Sequence, residues 1–337
     1  MLKWCVIGAG GIADRRAIPA ILKEESSTLV AIMERVPTLA KELGEKYGVP
    51  YFTTVEQMLS TVDADAVYIG TPTAKHGEDL RAAIRHGVHA FVEKPLCVEP
   101  EEAEALLSEF RSAGLQLTVG YMMKYHNLHV TAKKLIGDGR VGKVTLANAR
   151  FSCWYPAPDG AWRQYRELSG GGALMDLGVH CIELLEYLLG DEIVEVKAMT
   201  ANRAFSYEVE DTGVIIYRTK GGTHGSVEAS FAVPDAASES QVEIFGTGGY
   251  IKALGTMSQE ESGRLLHLYA PQGEYNPEQG GVSSEPVEYF AEGEDIYLRQ
   301  IRDFVSTVKD EKLEYNYAEA AVRVQRIMAR AYADAKY

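Results

Sequence analysis

The chain is poor in cysteine, in long apolar runs and in positive charge, and each shortage closes off a class of function. Four cysteines (Cys5, Cys97, Cys153 and Cys181) are scattered over 337 residues without a C-x-x-C pair. They suit reduced side chains in a cytoplasmic protein better than a disulfide framework. No apolar run approaches the roughly 18 residues that a bilayer span requires. The start, MLKWCVIGAGG, has one lysine and no A-x-A cleavage pattern, and does not read as a signal peptide. Basic residues number 34 against 48 acidic ones, and the net charge of −14 is spread along the chain. Such a surface is repelled by phosphate backbones and anionic lipid, so nucleic acid and membranes are not expected partners. What remains is an ordinary globular composition, 46% hydrophobic and 24% charged, at a length that suits two domains.

The first 120 or so residues alternate short apolar runs with helical patterns. Strands are expected at Lys3–Gly8, Thr28–Met33, Ala66–Gly70, Val88–Val92 and Leu115–Gly120. Helices are expected at Ile12–Glu24, Thr38–Tyr47, Lys75–His86 (closed by Gly87) and Pro100–Ala113. Strand–helix alternation of this kind predicts βαβ units around a parallel sheet. Beyond residue 122 the rhythm changes. Helices at His126–Ile136 and within Gly170–Leu189 are followed by strands at 193–203, 212–219, 225–233, 241–246, 249–254 and 265–270, with a further strand at 143–153. Strands joined by Gly-Gly turns predict a mainly antiparallel sheet. Residues 272–286 read as a Gly/Pro/Ser loop, and Glu294–Lys309 and Tyr317–Tyr332 as helices. The fold expected is α/β, a doubly wound Rossmann domain over 1–122 followed by an α+β domain with an open, mainly antiparallel sheet over 123–337.

Gly8-Ala9-Gly10-Gly11-Ile12-Ala13 is a G-x-G-x-x-A between the first strand and first helix. Gly8 permits the tight turn, Gly10 close approach of a pyrophosphate, and the small Ala13 close packing of helix on strand. Gly11 and Ile12 open the helix whose dipole favours the anion. Glu34, at the end of the second strand, is placed to accept hydrogen bonds from an adenosine ribose and favours NAD. Its neighbour Arg35 argues for a 2′-phosphate, so NADP stays possible. Thr71 and Pro72 follow the next strand, where a doubly wound sheet forms its ligand crevice. His76 is read there as a structural or cofactor-contact residue. Glu93-Lys94-Pro95 follows another strand, which aims the lysine ammonium into the same crevice, with Glu93 to hold the lysine or the nicotinamide ribose.

The stretch Ser169–Gly190 (SGGGALMDLGVHCIELLEYLLG) brings three glycines and then a helix with Asp176 and His180 four apart, on one face. Asp176 can fix the tautomer of His180, and His180 can then take a proton from a substrate hydroxyl. A plain solvated Asp–His pair is the alternative. A metal site built with Cys181 and Glu183 is a third reading, but Cys181 lies about 100° round the helix and no His-rich segment accompanies it, so no metal is expected.

The fingerprint, G-T-P-x-x-x-H, E-K-P and G-G-G-A-L-x-D-x-G-x-H occur in that order over essentially the whole chain. Together they resemble the Gfo/Idh/MocA oxidoreductases, the family of glucose–fructose oxidoreductase and inositol dehydrogenase. The resemblance implies NAD(P)-dependent hydride transfer between nicotinamide and a secondary alcohol or ketone of a sugar, sugar derivative or cyclitol. It implies Lys94, Asp176 and His180 around the reacting carbinol, with Trp162-Arg163 near cofactor and substrate. It also implies a homodimer or homotetramer formed through the C-terminal sheet. Tyr121, Lys124 and Tyr155 join the substrate-side candidates, Arg163 and Lys124 as cations able to hold a phosphate. Two positions depart from the common pattern: Gly120-Tyr121-Met122-Met123-Lys124 where many members carry arginine after G-[FY], and Glu183 where many carry aspartate. Two other readings stay open, a sugar enzyme that oxidises transiently and recycles its cofactor, and a non-catalytic NAD(P) redox sensor.

Overall fold

The computed structural model describes residues 1–157, 161–271, 273, 275, 277 and 284–335. They divide into two compact units, each discontinuous in sequence. The first comprises Met1–Met122, Tyr165–Gly170 and Tyr297–Arg326, and the second Met123–Gln164, Gly171–Ile296 and Ile327–Tyr337. A single cut between 122 and 123 therefore misses two returns of the chain.

In the first unit, strands β1 (Leu2–Ile7), β2 (Ser27–Met33), β3 (Tyr51–Phe52), β4 (Ala66–Ile69), β5 (His89–Val92) and β6 (Leu117–Val119) form one parallel sheet in the order β3-β2-β1-β4-β5-β6. The central strand β4 is apolar and buried throughout, as a sheet covered on both faces requires. Helices α1 (Ile18–Lys23), α2 (Pro37–Tyr47), α3 (Val55–Thr61), α4 (Thr73–His86) and α5 (Pro100–Ala113) make the crossovers. The Rossmann order is the one expected. The sequence reading passed over β3 and α3, because a two-residue strand and a seven-residue helix leave too short a pattern to register. A π turn over Ala13–Ala17 precedes α1.

The second unit is built on eight strands: β7 (Val144–Ser152), β8 (Ile193–Ala201), β9 (Thr212–Thr219), β10 (His224–Ser230), β11 (Gln241–Gly246), β12 (Gly249–Leu254), β13 (Arg264–Tyr269) and β14 (Val287–Phe290). Their order is β14-β13-β12-β11-β7-β10-β9-β8, antiparallel except for the β7–β10 pair. The edge strand β14 was not anticipated. The loop read over 272–286 falls in large part outside the described residues. Helices α6 (Asn127–Gly137) and α8 (Val179–Leu189) pack on this sheet. On β9 inward Ile215 and Tyr217 alternate with outward Val214 and Ile216, as one covered face and one open face require.

Three further helices complete the chain: α7 (Arg166–Ser169), α9 (Ile296–Lys309) and α10 (Asn316–Asp334). In the first unit α9 brings Phe304 against Trp4 of β1 (ring centroids 4.9 Å) and Phe91 of β5 (5.7 Å). These three rings are fully buried and seal the sheet with the end of the chain.

Candidate active site

In the first unit the fingerprint loop is built against its neighbours. A Cβ on Gly8, which sits at φ +73°, would lie 2.8 Å from Thr71 N, so only glycine lets β1 and β4 deliver their loops side by side. Gly10 N–H donates to Glu34 Oε2 at 3.3 Å, and Val36 N–H donates to Oε1 at the same distance. Glu34 is thereby held over the loop at the end of β2, while Arg35 is exposed. The residues fit a dinucleotide: nothing lies within 4 Å of the place a Gly11 Cβ would take. At the same sheet edge Thr73 Oγ1 is buried with no hydrogen-bond partner among the described residues. Backbone amides at a helix start beside open space are what a pyrophosphate requires.

The third and fourth motifs lock to one another. His76 is 1% exposed, with Nδ1 2.9 Å from Pro95 O and Nε2 2.9 Å from Thr71 O. Burial holds its pKa below the usual imidazole value. Each ring nitrogen faces a main-chain oxygen, so His76 lies between the Thr71 and E-K-P loops and braces them. Thr71 Oγ1 donates to Asp79 Oδ2 at 2.7 Å. Glu93 accepts the Tyr68 hydroxyl at 2.6 Å and the Lys94 backbone N–H at 3.3 Å. Tyr68 is a partner of this carboxylate that no sequence motif indicated. Lys94 stands half-buried at the carboxyl end of β5, next to a cis Lys94–Pro95 peptide. Pro72 precedes α4 at the same edge.

In the second unit α8 carries His180, 3% exposed, with the Phe151 ring edge-on at 6.1 Å. Asp176 lies one turn earlier, in a π turn over Leu174–Gly178 that runs into α8. Such turns often mark functional sites. Asp176 Oδ1 accepts Arg163 Nε–H at 3.2 Å, and the Arg163 guanidinium lies 4.5 Å from the Trp162 ring centroid. Burial works against the Arg163 charge, but Asp176 and the hydrogen-bonded Tyr155 outweigh it and keep the guanidinium more firmly protonated than usual. Arg163, read as a substrate contact, thus joins Asp176 to Tyr155, another residue read so.

Two of the substrate-side candidates are buried. Tyr121 is fully buried. Lys124 is 5% exposed and donates to Glu183 Oε1 at 2.7 Å, with Glu183 4% exposed. The two departures from the family pattern therefore meet as one buried ion pair between the segment before α6 and α8.

Residues 2–121 match the model of the oxidoreductase family with an NAD-binding Rossmann fold, and residues 129–252 that of the GFO/IDH/MocA C-terminal domain. The dTDP-3,4-didehydro-2,6-dideoxy-alpha-D-glucose 3-reductase of Streptomyces antibioticus is 30% identical over 335 residues, 97% of this chain and 96% of the relative. The chain belongs to the Gfo/Idh/MocA oxidoreductases. It is an NAD(P)-dependent oxidoreductase acting on CH–OH, as the motifs implied. Among its family relatives the 1,5-anhydro-D-fructose reductase of Ensifer adhaerens is 30% identical over 79% of each chain. The 3-ketoreductase KijD10 of Actinomadura kijaniata, solved with NADP and TDP-benzene, shares the fold with a TM-score of 0.85 at 24% identity, over 99% of this chain and 97% of its own. Among the described residues no helix is long and apolar enough to cross a membrane.

Proposed function

We propose that this oxidoreductase interconverts a secondary alcohol and a ketone on a sugar, sugar derivative or cyclitol, with Lys94, Asp176 and His180 as its catalytic residues. The observation that carries the reading is the catalytic helix: an almost fully buried imidazole one turn beyond an aspartate that a guanidinium already holds in place. When bound, the nicotinamide supplies the hydride acceptor or donor. His180 exchanges the proton of the carbinol oxygen, Asp176 orients its ring, and Lys94 donates a hydrogen bond to the oxygen as charge develops there. Trp162 and Tyr155 offer amphipathic rings for a polyhydroxylated substrate. The sugar reductases among the relatives support this substrate class.

The carboxylate of Glu34 over the fingerprint loop supports NAD as the preferred cofactor, since it repels a 2′-phosphate. The open face of the eight-stranded sheet exposes Met199 (80%), Ile216 (57%), Leu146 (41%) and Val214 (39%), an apolar face that supports homo-oligomerisation through this sheet. The four cysteines, three of them buried and none in a disulfide among the described residues, support a cytoplasmic setting. The test is a fluorescence titration with NADH and NADPH, followed by turnover of hexoses, inositols and their keto forms. Tighter NADH binding, with turnover lost in His180→Ala and Lys94→Ala while NADH affinity is kept, is the expected result. NADH binding without turnover of any polyol or keto form overturns the catalytic assignment.

A further inference from the structure

Every helix starts with amides that have no acceptor within the helix. At the start of the catalytic helix one residue takes three in succession. Gly172 N–H donates to Glu210 Oε2 at 2.9 Å, Ala173 N–H to the Glu210 main-chain oxygen at 3.0 Å, and Leu174 N–H to Glu210 Oε1 at 3.0 Å. The Tyr332 hydroxyl donates to the same Oε1 at 2.8 Å. Glu210 is fully buried, two residues before the start of β9, and these partners bring it no cation. Its charge faces the positive end of the helical run instead. Burial raises the carboxyl pKa, and the hydrogen bonds from Tyr332, Gly172 and Leu174 work against that rise.

The same contact accounts for two of the three glycines. A Cβ on Gly172 would lie 1.8 Å from Glu210 O, and one on Gly171 would lie 2.1 Å from Tyr332 Oη. Their missing side chains admit Glu210 and Tyr332 to the backbone. From there two hydrogen bonds lead to the catalytic groups. Gly172 O accepts Asp176 N–H at 2.9 Å, and Leu174 O accepts the N–H of Val179, the residue before His180.

We infer that Glu210, fastened by Tyr332, is a positioning residue that sets the height and rotation of the helix start and so aims Asp176 and His180. A carboxylate is needed because two amides approach its two oxygens. A glutamine in its place has one oxygen, and its amide group meets an N–H donor with another donor. The inference rests on the catalytic role proposed for Asp176 and His180. The decisive readout nevertheless needs neither substrate nor cofactor.

The experiment compares the full-length protein with Glu210→Gln and Tyr332→Phe, using 15N-imidazole NMR of His180, assigned through His180→Ala, across a pH titration. Both variants are expected to shift the His180 ring resonances and their titration midpoint, Glu210→Gln by more. NADH binding by nicotinamide fluorescence is expected to stay within about twofold, because the fingerprint is untouched. With a turned-over sugar in hand, kcat is expected to fall about 10- to 100-fold at nearly constant KM, the range expected for a misaimed catalytic group. Unchanged His180 resonances and midpoint in the folded variants overturn the inference, whatever happens to melting temperature. Should Glu210→Gln fail to fold, Tyr332→Phe alone decides by the same criterion. A wild-type chain that turns over no sugar refutes the function and leaves the His180 readout to decide the positioning.

Discussion

Replacing Asp79 by asparagine removes a carboxyl whose effect on stability changes with pH. Asp79 lies on α4, 6% exposed, with Oδ2 accepting the Thr71 hydroxyl at 2.7 Å. Burial is the leading cause that pushes its pKa from 3.8 up to about 6, against the Thr71 hydrogen bond. The folded protein therefore holds this proton more tightly than the unfolded chain does. Below about pH 3 both states are protonated and the group carries no penalty. As pH rises through the folded value, stability is lost, and a shift of about two units corresponds to about 3 kcal/mol. Asparagine does not titrate, and the cost or benefit of its amide is the same at every pH. Urea unfolding of both proteins, run between pH 4 and 7.5, isolates the effect as the change in their difference. The variant should gain on the parent by about 3 kcal/mol over that interval, in the order-of-magnitude sense. A difference that stays constant with pH refutes the burial argument. The same residue holds Thr71 beside the fingerprint loop, so NADH titrations on the two proteins will show whether the cofactor senses that hydrogen bond.

Glu34→Ala should weaken NADH about 10- to 100-fold, the value of hydrogen bonds to a charged group, and NADPH much less, as read by nicotinamide fluorescence. Lys124→Met should cost about 3–5 kcal/mol in chemical denaturation by stranding the buried Glu183 carboxylate, whereas Lys124→Met with Glu183→Leu should recover much of that loss. Gly172→Ala cannot keep the present backbone, because its Cβ would lie 1.8 Å from Glu210 O. It should lower stability by about 3 kcal/mol or more in a melting experiment. Arg163→Leu should reduce kcat about 10- to 100-fold with NADH affinity kept, since it removes the cation on Asp176 while leaving the fingerprint intact.

Much of the fold was legible because its signals are local. The helix Pro100–Ala113 and the strands 212–219, 241–246 and 249–254 have the bounds read from the sequence, since each is set by a repeat of apolar residues and a turn beside it. The elements missed were β3, α3 and β14, too short or too exposed to carry such a repeat. The candidate site was legible as motifs and less so as contacts. Asp176 was read against His180 from their spacing, but Arg163 also meets it, and Tyr155 meets Arg163 in turn. The triple glycine was legible as a motif, and the structure shows Tyr332 and Glu210 as two of the groups its backbone passes closely. The burial of Tyr121 was not legible, because a motif does not say which way solvent lies.

By itself the sequence determined the parallel Rossmann unit, the antiparallel sheet, the dinucleotide fingerprint and the family. All of these depend on interactions among residues a few positions apart, or on the order of short motifs. Only the tertiary structure decided which buried charges and hydroxyls meet. Lys124 and Glu183 are 59 residues apart, Glu210 and Gly172 38, and Glu210 and Tyr332 122. A hydrogen bond or ion pair forms only when its atoms come within about 3 Å, and separation along the chain carries no information about that distance.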